Sequence, residues 1–107
     1  MSNYITAATE ALREQLRAQG KDPAKSLTPE LERLYVLLLL VRGEQVTLAD
    51  VHDAWAVARA VERPDHPDLV PFYQLAPEKW EHDRPYAHAI QDAARILAGP
   101  LRSDQDH

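Results

Sequence analysis

The sequence predicts a mainly α protein: a compact single domain of four main helices, with an extended proline-containing strip packed over them. Three observations lead there. Apolar residues recur at intervals of three and four, and no stretch sustains the alternation of a half-buried strand. Three glycines and eight prolines bracket segments of helical length. A chain of 107 residues with a 45% hydrophobic share supplies one modest core, too little for two.

The first helix is predicted over Tyr4 to Gln19, with Ile5, Ala8, Leu12 and Leu16 on its inner stripe and Gly20 as a left-handed stop. Lys21 to Leu27 reads as a polar connection. Thr28 caps the second helix and Pro29 fills its first turn, where the missing N–H costs nothing. That helix, Pro29 to Arg42, carries Leu31, Leu34, Tyr35, Leu38 and Val41 on one stripe. Its second half is apolar all round, which predicts the central core helix. Gly43 ends it, Glu44 to Val46 forms a brief extended link, and Thr47 with Asp50 makes an acidic capping box. The third helix follows from Leu48 to about Glu62, with Val51, Trp55, Ala58 and Val61 or Glu62 at stripe spacing.

Pro64 and Pro67 break this helix, because each pushes its predecessor out of the α region. Leu69 to Leu75 is the extended strip, excluded from a central strand position by Pro71. Ala76 to Trp80 predicts one helical turn. Asp83 caps a last helix that buries Tyr86, Ile90, Ala93 or Ala94, and Leu97 and stops at Gly99-Pro100. Residues 1–101 are thus one domain, and the polar tail 102–107 is expected to be disordered.

Composition excludes several functions. A net charge of −5 leaves no cationic excess for gripping a phosphate backbone. The absence of cysteine removes thiolate metal sites, disulfides and thiol nucleophiles. The longest apolar run, Leu34 to Val41, spans eight residues, against about 20 for a bilayer. A cytoplasmic protein without a membrane segment is expected.

Motifs give little chemistry. His52-Asp53 and His82-Asp83 evoke metal-dependent phosphohydrolases, but His52 has no upstream histidine and Asp92 follows His82 too closely to complete such a site. No pair of histidines stands at helical ligand spacing, and no serine lies in a nucleophile elbow. No metal, cofactor or catalytic residue is expected. A helix–turn–helix over residues 31–62 has the right succession of elements, but residues 44–83 carry nine acids against Arg59, Arg63 and Lys79. Nucleic acid is therefore not an expected partner.

The middle of the chain is the informative part. His52-Asp53-Ala54-Trp55-Ala56 with Arg59 is followed by His66-Pro67-Asp68-Leu69-Val70-Pro71-Phe72, Leu75, Glu78 and Asp83-Arg84. This order resembles the ryanodine receptor repeat, or RyR domain, and the resemblance extends to short proteins of actinobacteria and their phages. A glycine–aromatic segment usual in that family is replaced here by Ala60 to Asp65, so a family β-hairpin would be missing or reduced. The resemblance implies a non-enzymatic binding module for a nucleotide-like anionic ligand.

The candidate ligand-binding residues are Arg59, Lys79 and Arg84 as cations and Tyr73 or Trp80 as stacking faces. Trp55 and Phe72 read as core anchors, whereas charged neighbours mark Trp80 and Tyr73 as exposed. Arg59 and Asp83 either pair with each other or serve the ligand. The competing expectation is a protein-interaction adaptor whose acidic middle segment docks a basic partner.

Overall fold

The computed structural model describes the backbone of residues 3–105 and the side chains of residues 3–98. It comprises α1 (Tyr4–Ala18), α2 (Pro23–Ser26), α3 (Pro29–Val41), α4 (Leu48–Glu62), α5 (Pro77–Trp80) and α6 (Arg84–Gln105). The fold is mainly helical, four of its helices are substantial, and no strand occurs among the described residues. α1 packs most extensively against α6 and also against α3; α4 lies on α3, with the strip after it folded back onto α4.

The capping chemistry accounts for most of the boundaries. Asn3 accepts from the Thr6 N–H, Thr28 from Leu31, and Thr47 from Asp50, whose carboxylate returns the bond to the Thr47 N–H. Gly20 takes the left-handed conformation at φ +80°, and bonds from Gly20 to Arg17 and from Lys21 to Leu16 complete a Schellman stop. That stop turns Lys21 out of the α1 axis. Gly43, also left-handed at φ +57°, follows the end of α3 and opens the next turn.

The core is drawn from every long helix: Leu12 and Leu16 of α1, Tyr35 and Leu39 of α3, Val51 of α4, and Ile90 and Ala93 of α6. Between α3 and α4, Val46 is buried and its carbonyl accepts from Gln91 of α6. Around this core the structure departs from the sequence reading in several places.

Lys21 to Leu27 contains the one-turn helix α2, because Asp22 caps Ala24 and Pro23 fills the first turn. The expected extended link after α3 is a 3-10 turn, Gly43–Gln45. The strip is extended only in part: Phe72–Gln74 form a second 3-10 turn, closed by Gln74 N–H donating to the Pro71 carbonyl. Ile5 and Val41, assigned to inner stripes, are 41% and 65% exposed. α3 is buried on one side only, by Tyr35, Val36 and Leu39, while Leu37 and Leu40 stay exposed; its neighbours α1, α4 and α6 cover a single face.

α6 does not stop at Gly99-Pro100 but continues to Gln105. Proline removes one N–H yet keeps a helical φ, and its clash with the preceding residue is relieved when that residue is a glycine with no Cβ. Of the tail expected to be disordered, 102–105 continue the helical backbone, while 106 and 107 lie outside the described residues. No helix among the described residues is long and apolar enough to cross a membrane.

Candidate functional site

One cleft of about 370 Å³ opens where the α1–α2 link, α3, α4, the strip and the start of α6 meet. Its volume falls in the range of small-molecule sites. The α1 stop delivers Lys21, α3 contributes Leu31 and Tyr35, α4 contributes His52, Trp55, Ala58, Arg59 and Glu62, and the segments beyond supply Asp68, Leu75, Lys79, His82, Asp83 and Tyr86.

The wall beneath the strip is an aromatic stack organised by His52. Its Nε2 lies 2.7 Å from the Val70 carbonyl, and its ring stacks on Trp55 at 5.6 Å and leans on Phe72 at 6.1 Å. Phe72 in turn stacks on Trp80, whose indole N–H donates to the Phe72 carbonyl. His66 meets the Trp55 edge, and its Nδ1 accepts from the Asp68 N–H, which closes the turn ahead of the strip. A buried histidine satisfied by a main-chain carbonyl is thus what holds the strip to α4.

Most charges in the cleft are internally spent. Arg59 pairs with Glu62 at 3.3 Å and lies over the Trp55 ring; Lys79 donates to Asp68 at 2.6 Å. That bond from Lys79 holds the Asp68 carboxyl below its ordinary range, against the opposing effect of burial. Several polar groups of the cleft remain without a protein hydrogen-bond or ion-pair partner among the described residues. They include the Lys21 ammonium, 5.9 Å from the Tyr86 ring centre, the Tyr35 and Tyr86 hydroxyls, the Ser26 hydroxyl, the Trp55 indole N–H, the His82 imidazole and the Asp83 carboxylate. Tyr35 is almost wholly buried, and burial pushes its phenol well above the ordinary value, so it remains a proton donor.

Asp83 occupies the cap position of α6, where its carbonyl accepts from Ala87. Its carboxylate makes no capping bond. Burial pushes it up from 3.8 to about 6, and His52 and His82 offset part of that rise. A carboxyl that protonates more readily when folded costs no stability below pH 3.8, and the cost grows as pH climbs through about 6. Asp50, Asp68 and Glu81 are shifted downward and weaken the fold as pH falls, so the intact protein mixes both trends. The difference between Asp83→Asn and the parent isolates Asp83. The variant is expected to gain melting temperature relative to the parent as pH rises from about 4 to about 7; a gap that does not change with pH would contradict the assignment.

Of the five residues selected from the sequence, the cleft brings together Arg59 and Lys79. Arg84 is exposed and clamped to Glu81 by two bonds of 2.7 and 3.0 Å, away from the cleft wall. Tyr73 is 76% exposed and lies outside the cleft, as does Trp80. Trp80 is not the open aromatic its charged neighbours predicted, because Phe72 covers one of its faces. Nor is Trp55 a core anchor: it is half-buried and lines the cleft. Arg59 and Asp83 do not pair, since Glu62 sits one turn along the same helix.

Sequence reasoning missed Lys21, Tyr35, His52 and Tyr86 as cleft residues, and it weighed Asp83 only as a partner of Arg59 or a ligand contact. The usable signal was the alternation of aromatic and charged residues from His52 onward; Lys21 carried none, because it sits where a linker ordinarily places such a residue. Among the described residues no three His, Asp or Glu side chains gather as a metal would require.

A family model described as a domain of unknown function, DUF7701, matches residues 3–95. This overturns the ryanodine receptor resemblance, since the match spans nearly the whole chain and is to a different family. The shared residues now have local explanations: Trp55 and Phe72 pack on His52, His66 packs on Trp55, and Leu75 is the buried end of the strip. No curated protein and no solved structure matches the chain.

Proposed function

We propose, for a chain that belongs to the DUF7701 family and takes no activity from that family's description, a non-enzymatic module that binds a small polar organic molecule with an anionic group. The observation that carries this reading is the convergence of Lys21, Tyr35 and Asp83, which have no hydrogen-bond or ion-pair partner among the described residues, on one aromatic-walled cleft. Unpartnered polar groups facing a concave, partly apolar surface are the usual signature of a ligand site. Among the described residues of the cleft, Lys21 has no ion-pair partner, and Arg59 and Lys79 stand at the same cleft with their charges shared by Glu62 and Asp68. The narrower expectation of a nucleotide-like ligand rested on the ryanodine receptor resemblance and loses its support with it.

The non-enzymatic part of the proposal rests on the absence of a hydrogen-bonded base–nucleophile pair among the described cleft residues. His52 spends Nε2 on the Val70 carbonyl, the Thr28 hydroxyl caps α3, and no hydrogen bond joins the Ser26 hydroxyl to His82. The adaptor reading has one observation in its favour. A shallow groove on the other side of α4, between Asp53, Ala56, Val57 and Ala60 and the strip residues Leu69, Val70 and Pro71, is largely apolar.

A panel of small carboxylates, amino acids, phosphate monoesters and nucleotides, read by melting temperature and by amide chemical-shift mapping, tests the proposal. The expected result is a saturable shift from at least one class, mapped to Lys21, Trp55, Arg59 and Tyr86 and weakened by Lys21→Gln. A ligand present at a hundredfold excess over Kd should add about 2.7 kcal/mol. Shifts confined to the outer α4 groove, or no response at about ten millimolar, would overturn the cleft reading in favour of a protein partner.

A further inference from the structure

We infer that the cleft selects a zwitterion, a small molecule of the α-amino-acid type whose ammonium group meets Asp83 while its carboxylate meets Lys21. The inference rests on the binding role proposed above and adds the class of ligand.

It starts from the charge pattern. Arg59 with Glu62 and Lys79 with Asp68 are closed pairs. Besides the His82 imidazole, what remains among the described residues of the cleft is one carboxylate and one ammonium, both bordering Tyr86 and not bonded to each other: Asp83 lies one helical turn before it, and the Lys21 Nζ is 5.9 Å from its ring centre. No ion pair joins Lys21 and Asp83, so more than 4.0 Å separates their charged atoms. A ligand with both charges offers a partner to each.

Ligands with a single charge fit less well. A simple anion would neutralise Lys21 but leave Asp83 half-buried, offset only by the histidines His52 and His82 and repelled by the newcomer. A simple cation would neutralise Asp83 while facing Lys21, with Arg59 and Lys79 close by. The Tyr35 phenol lies within electrostatic reach of Asp83, where its oxygen offers the ammonium a second acceptor, and Leu31, Trp55 and Leu75 offer an apolar wall for the ligand's carbon skeleton. Recognition of both charges also gives specificity, because an analogue lacking either leaves a polar group of the site unpaired.

The test uses matched probes on the full chain: L-phenylalanine, 3-phenylpropanoate, which lacks the ammonium, and phenethylamine, which lacks the carboxylate; L-leucine, 4-methylpentanoate and isoamylamine repeat the comparison with a smaller skeleton. Affinities are read by isothermal titration and by chemical-shift perturbation. At least one amino acid is expected to bind about tenfold or more tightly than both of its single-charge analogues. Asp83→Asn should erase the advantage over the carboxylate analogue, and Lys21→Gln the advantage over the amine, with unchanged circular dichroism in both variants. If the carboxylate analogues bind as tightly as the amino acids, and Asp83→Asn leaves that affinity unchanged, the zwitterion inference fails while the binding-module reading stands. If neither amino acid binds but a phosphate monoester does, the inference fails alone. If no probe binds at all, both fail.

Discussion

Replacing Leu12 with alanine is expected to destabilise the protein by about 2–5 kcal/mol, the largest effect of any single truncation considered. Leu12 is fully buried on α1, the helix that packs most extensively against α6. Removing three carbons there loses their transfer free energy and leaves a cavity that helices anchored by caps at Asn3, Thr28 and Thr47 cannot readily close. A domain of this size has about 5–15 kcal/mol to lose, so the variant should approach the limit of folding at physiological temperature. The control is Leu37→Ala on α3, where the side chain is 52% exposed and the change should stay within about 0.5 kcal/mol. Urea unfolding of both, at unchanged slope, measures the difference. Equal midpoints would mean that the assignment of the α3 outer face and of the α1 core position is wrong.

That comparison also shows where sequence patterning works and where it stops. Helix identity was legible because caps and stops are local: Thr47 and Asp50 bond to each other's backbone, and Gly20 needs a conformation that few other residues tolerate. Burial was only half legible. Four consecutive leucines in α3 look the same whether a helix is surrounded or covered on one side, and only the placement of α1, α4 and α6 decides that Leu39 is buried and Leu37 is not. The site was least legible. Arg59 and Lys79 were found because they flank aromatics, and Asp83 was weighed only beside Arg59; Lys21, 62 positions from Asp83, sits at a place where a stop is a sufficient local reason for it. Asp83 shows the limit most clearly: it sits at the cap position, yet the carboxylate turns to the cleft instead of to its own helix. Motif order misled in the same way, because residues that resembled another family's signature are here the packing shell of a single histidine.

That histidine is the subject of the second large expected effect. His52 is the buried polar side chain of the core, 3% exposed, with Nε2 2.7 Å from the Val70 carbonyl and rings of Trp55 and Phe72 against it. His52→Ala deletes the donor that satisfies that carbonyl and opens a void between two aromatic rings. The cost should be on the order of 2–4 kcal/mol, held below that of a fully enclosed site because Val70 is only half-buried and water can reach its carbonyl. The damage should also be uneven. The strip touches the body mainly through α4, so releasing His52 should raise amide exchange across residues 66–80 more than across α1 or α6. Asp68 and Lys79 stand on that released segment, so the cleft should lose its wall even where the bundle survives. His52→Gln separates the two contributions: an amide donor can restore the bond to Val70 but cannot restore the aromatic stack, so it should recover stability in part. Exchange rates in the strip that match the parent's in His52→Ala would show that the strip is held by its own turns at His66 and Pro71, and that His52 is packing alone.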